Sequence, residues 1–167
     1  MDREFFALIA QTAFCNPFSE QRTELDSKIL KHPVEPLSEA HLDEMTQVIS
    51  ARVQKLEVQG LADLRKYSGA DRDLMQTVFL FELFHVFCRA IDQLILDQVK
   101  LGDQPAPVKF AGELLERMRR RGIGAAEASR FFAIFYQLRR AYHFIVRGLV
   151  GHSPCMREFR RHLWQNV

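Results

Sequence analysis

The sequence predicts an all-α protein: a single bundle-like domain of six or seven helices, followed by a C-terminal helix. Three observations carry that expectation. Apolar residues recur every three or four positions through most of the chain, which is the spacing of one helix face. No stretch alternates apolar and polar residues as a half-buried strand does, and no hairpin turn signal separates two such stretches. Residues 72–101 contain neither glycine nor proline, and that uninterrupted length favours helix over strand even through the aromatic run VFLFELFHVF.

Each element has its own signals. Residues 2–14 place Phe5, Phe6, Ile9 and Phe14 on a broad apolar stripe, and Asn16-Pro17 ends it, because proline disfavours helix at the residue before it. Ser19 is the expected N-cap of a mostly polar second helix reaching about Leu30. Two prolines stiffen the connection 31–36, and Ser38 is the expected cap of a third helix on Leu42, Met45, Ile49, Val53 and Leu56. Gly60 and Ser68-Gly69 bracket a short piece. Asp71 then opens the longest helix, apolar on most sides from Leu74 to Val99. Residues 108–121 are amphipathic and end in Arg117, Arg119, Arg120 and Arg121 before Gly122. Cations in a last turn complement the helix dipole and glycine ends the helix, so a solvated face explains the run as well as an acidic partner or nucleic acid does. A second core helix covers 125–147, with Arg139, His143 and Arg147 on its opposite side. After Gly148, Ser153 and Pro154 supply an N-cap and a first helical position. The last helix then carries Met156, Phe159, Leu163 and Val167 on one stripe, with Arg157, Arg160 and Arg161 expected to be exposed.

Composition narrows the function classes. The chain has 167 residues, a formal charge of +2 and three widely spaced cysteines. The near balance of charge gives no footing for a dedicated nucleic-acid binder. An odd number of cysteines without C-x-x-C or zinc-finger spacing argues against a disulfide framework and suits a reducing cytosol. The N-terminus lacks the basic start of a signal peptide, and no window of about 18 apolar residues is expected to span a membrane. The fourteen phenylalanines suit a large aromatic core or an apolar ligand pocket.

Few residues point to chemistry. Glu82 and His85 form an E-x-x-H on one helix face. Di-iron bundles use two such pairs with further carboxylates, whereas here Asp92, Glu113, Glu116 and Glu127 offer no second pair. His85 with Cys88 is an H-x-x-C which, with His143, could hold a metal or a haem in a phenylalanine-lined pocket. A core histidine and an inert buried thiol explain the same residues. No cofactor is required, and no catalytic constellation is found.

The segment from Leu149 onward adds a resemblance. An apolar residue followed by Gly151, Ser153, Pro154 and Met156, then a helix rich in arginine, resembles the start of the AAA+ ATPase domain of bacterial sigma-54-dependent transcription activators. Asn16-Pro17-Phe18-Ser19 resembles the amino-terminal region of a subgroup of that family, and the runs from Tyr136 to Ala141 and from Gly148 to Gly151 look like the join in that subgroup. The resemblance implies a helical regulatory domain over 1–148 and, over 149–167, a linker and the first helix of the AAA+ domain. Gly148, Gly151, Ser153 and Pro154 would form the junction. It implies a bacterial, cytoplasmic protein that receives an effector ligand or protein and passes the signal to the AAA+ domain of the same chain through movement of the helix ending at Gly148. The Walker motifs and the DNA-binding helix-turn-helix of the family are not within these residues, so neither catalysis nor direct DNA contact is expected of them. A homodimer is expected, with Leu138, Tyr142, Ile145 and Leu149 as its exposed stripe. The alternative is a haem-, iron- or small apolar ligand-binding sensor using His85, Glu82 and Cys88.

Overall fold

A computed structural model describes residues 2–35 and 39–167. Among these residues the chain forms seven α-helices and no strand: α1 (Arg3–Ala13), α2 (Glu20–Leu30), α3 (Glu39–Val58), α4 (Gly69–Leu101), α5 (Ala111–Arg120), α6 (Ala125–Gly148) and α7 (Pro154–Trp164). The all-α expectation is met. Residues 1–85 and 86–167 form two compact units, and the boundary falls within the unbroken helix α4.

In the first unit the polar residues between α1 and α2 act as the sequence indicates. The Asn16 side chain accepts from the Phe18 amide at 3.0 Å. The Ser19 hydroxyl donates to the Asn16 carbonyl at 2.7 Å and accepts from the Arg22 amide at 3.2 Å. Ser19 thus ends one helix connection and starts the next helix. Ser19→Ala is expected to cost about 1 kcal/mol, a fall in melting temperature of about 2–4 °C for a chain of this size, read by circular dichroism. The expected cap Ser38 lies outside the described residues. Further on, a 3-10 turn at Leu64–Lys66 fills the short piece before α4, and Gly60 takes a left-handed φ of 67° that a side chain disfavours.

Helices α1 and α2 pack together, as do α2 and α3. Phe6, Ile9, Ile29, Met45, Ile49, Val53, Met75, Val78 and Phe79 are among the buried side chains of this unit. Each such burial contributes about 1.5–3 kcal/mol. Asp26 of α2 is also buried. It accepts from Arg22 Nε with both oxygens, at 2.8 and 2.9 Å, and His41 Nε2 of α3 lies 3.1 Å from its Oδ2, so the charge is compensated where it is desolvated.

In the second unit α5 packs on α6 and α6 on α7. Ile91, Ile95, Leu114, Met118, Ile123 and Phe135 are buried, and Phe110 stands edge-on to Phe132 at 5.9 Å. The arginine run at the end of α5 divides. Arg117 pairs with Glu113, and Arg119 and Arg120 both pair with Glu116. The two guanidiniums pull the Glu116 carboxyl down to about 2. Arg121, read from the sequence as part of the same solvated run, is instead buried. It is the residue at which the helix turns into Gly122, whose φ is 81°.

By length and composition α4 passes for a membrane span, with a mean hydropathy of 1.5 over its most apolar window, although the sequence reading expected none. Of that window, 56% is buried inside the protein, which is how a core helix of a globular protein uses such a sequence.

Candidate functional site at the α6–α7 junction

The junction is built from α6, the five connecting residues 149–153 and the start of α7. Helix α6 continues without a break to Gly148, and the Leu149 amide closes it by donating to the Ile145 carbonyl. Gly151 adopts φ 132°, where an L side chain is strained. A Cβ there would stand 3.4 Å from Met156 Cγ. Ser153 caps α7 by accepting from the Met156 amide at 3.3 Å, with Pro154 in the first turn. The sequence placed these caps correctly.

What the sequence reading missed is Arg160. Expected on the exposed side of α7, it is only 9% exposed. Its guanidinium donates to the Leu149 carbonyl at 2.5 Å and to the Gly151 carbonyl at 2.7 Å. One side chain of α7 therefore binds two carbonyls of the connection, at its start and its middle. The correction has a physical reason. Positions 156, 160 and 164 lie four apart on one helix face, and that is the inward face: Met156 and Trp164 are part-buried, while Phe159 and Leu163 are exposed at 48% and 36%. The Leu149 and Gly151 carbonyls lie past the end of α6 and are not taken up by its helical hydrogen bonds. The Arg160 Nη2 nitrogen, with two N–H groups, satisfies two acceptors at once, which no apolar residue can do. The signal available in the sequence was an arginine, four residues from each of Met156 and Trp164, following a glycine-rich turn.

The stripe read as a dimer surface is largely covered within the chain. Ile145 is buried, Leu138, Tyr142 and Leu149 are half-buried, and Tyr142 meets Trp164 of α7 edge-on at 6.5 Å. The exposed large apolar residues of α6 are Ile134 and Phe144. Arg139, read as lying on the opposite, solvated side, turns onto α4. It forms a two-pronged pair with Asp92, 2.6 Å on each prong, and lies over the Tyr142 ring at 4.7 Å.

The residues considered for a metal or haem are individually well defined. In the first unit, Glu82 is buried and its Oε1 accepts from the Ser50 hydroxyl at 3.3 Å. His85 is buried, and its Nδ1 donates to the Phe81 carbonyl at 2.8 Å, which puts the proton on Nδ1. Its ring lies 4.1 Å from that of Phe81. In the second unit, Cys88 is fully buried and His143 is half-buried on α6. Among the described residues, no group of three or more His, Cys, Asp or Glu side chains is arranged to hold a metal ion. The carboxylates considered as partners are engaged elsewhere: Asp92 with Arg139, Glu113 with Arg117, Glu116 with Arg119 and Arg120. Glu127 is exposed.

Burial lowers the His143 pKa from its ordinary 6.5, and the nearby Arg147 and Arg139 cations add to the effect against Asp92. Protonation therefore favours the unfolded chain. The stability is full above pH 6.5 and declines as pH falls toward the depressed folded value. An NMR titration is expected to place the His143 midpoint below 6.5, and Arg147→Gln is expected to raise it.

Fold and junction together define the class: an all-α protein of two helical units in which α6 ends in an arginine-clasped turn. No family model, no curated protein and no solved structure matches the chain.

Proposed function

We propose that this chain is the regulatory segment of a sigma-54-dependent transcription activator. Residues 1–148 receive the signal, and residues 149–167 are the entry to an AAA+ domain. The observation that carries the reading is mechanical. Helix α6 runs unbroken into Leu149–Gly151, and Arg160 ties both of those carbonyls to α7. A shift or rotation of α6 must either carry α7 with it or break two charge-assisted hydrogen bonds. That gives two discrete arrangements which a signal can bias, provided it binds one better than the other. The resemblance at Gly151, Ser153, Pro154 and Met156 names the domain that would receive the movement. In this reading the segment is cytoplasmic, does no chemistry of its own, and acts on the ATPase to which it is joined.

The test is the reading frame beyond Val167 in the encoding gene. A G-x-x-x-x-G-K-[ST] loop following a strand within a few tens of codons is expected, because that loop cradles the nucleotide phosphates of such an ATPase. A frame that continues without it ends the reading.

A further inference from the structure

A cavity of about 340 Å³ opens in the second unit, between the C-terminal end of α4 and the middle of α6. That volume is in the range of small-molecule sites. Ile95, Val99 and Phe144 give it apolar walls, and Gln98, Tyr136 and Arg140 line it with polar groups. The Tyr136 hydroxyl donates to Gln98 Oε1, which fixes the Gln98 amide and leaves its NH₂ group as a donor. Arg140 lies over the Phe144 ring, 5.9 Å from its centroid, and among the described residues no carboxylate pairs with it. No acidic side chain lines the cavity. Its neighbour Arg139, by contrast, is paired with Asp92. Arg140 is thus an exposed cation, held by an aromatic face at the rim of a hollow with both apolar and polar walls.

We propose that this cavity binds an amphipathic organic acid, its carboxylate between Arg140 and the Gln98 amide and its apolar body against Ile95, Val99 and Phe144. A planar guanidinium receives a carboxylate through two parallel hydrogen bonds, and Phe144 holds the guanidinium in place for it. A neutral apolar molecule would gain the walls but leave the cation unanswered, and an inorganic anion would gain the cation but not the walls. The proposal does not depend on the regulatory reading, because binding is measured directly on the chain.

Isothermal titration with decanoate and with 2-naphthoate separates a fatty acid from a flat aromatic acid as the source of the shared carboxylate. Saturable one-to-one binding of at least one acid is expected. Its methyl ester should bind at least about tenfold more weakly, the share of a charge-assisted pair. Arg140→Gln should reduce acid binding to the level of the ester, Arg140→Lys should restore part of it, and Phe144→Ala should weaken acid and ester alike. Circular dichroism of each variant confirms that the helices remain. Absence of saturable binding by both acids overturns the proposal. So does equal binding of acid and ester, or an Arg140→Gln variant that remains folded and binds the acid as the parent does.

Discussion

Arg160→Ala is expected to lower the stability of the chain by about 2–3 kcal/mol, because it removes two hydrogen bonds from a charged donor and leaves part-buried carbonyls to find new partners. In a chain of this size that is a fall of about 5–10 °C in melting temperature. The effect is also local and can be seen locally. Trp164 is the single tryptophan, and it sits on α7 against Tyr142. Loosening of α7 should shift its emission to longer wavelength and raise its quenching by acrylamide. Arg160→Lys should recover part of the loss, since one nitrogen, Nη2, makes both bonds and an ammonium also carries more than one donor. A stable Arg160→Ala protein with unchanged Trp164 fluorescence would show that α7 is held by other contacts.

The second large effect is expected at the Arg139–Asp92 pair. The two side chains are 13% and 28% exposed, and both prongs of the guanidinium are engaged. Asp92→Ala should cost about 2–3 kcal/mol, most of it from a half-desolvated cation left without its partner. Replacing both residues by apolar ones, Arg139→Met with Asp92→Leu, should cost less than either single change, because no charge is then stranded. Urea titrations of the parent, Arg139→Met, Asp92→Leu and the double variant give the coupling energy directly. A coupling near zero would mean that the pair sits in solvent too accessible to matter.

These two arginines also mark where the sequence was and was not legible. Ser19, Ser153, Pro154, Gly122 and Asn16 act through the backbone next to them, so their roles follow from local rules and were read correctly. Periodicity placed the helices, and α4 ran only two residues earlier than Asp71. The choice of inward face on α7 was not local. Its apolar stripe, Phe159 and Leu163, suggested one face, while the groups that needed satisfying were carbonyls contributed by the preceding turn, and Arg160 answered them from the other face. Arg139 went the same way, drawn to an aspartate far along the chain. Long cationic side chains carry apolar stems and can be buried when a distant acceptor waits for them, and nothing in a helical wheel shows the acceptor. Glu82, His85 and Cys88 share a helix as the spacing indicated, but whether a shared helix becomes a site depends on residues from other elements, and those were spent on arginines.

The account turns on the junction being an output, and ATP hydrolysis by the polypeptide as its gene encodes it tests that most directly. Three proteins are compared: the natural chain, the chain with Arg160→Ala, and the chain with residues 1–148 removed. The account predicts a measurable ATPase whose rate changes several-fold on removal of residues 1–148, with Arg160→Ala moving it in the same direction. A natural polypeptide that hydrolyses no ATP in any of the three forms, or one whose rate is the same in all of them, contradicts it.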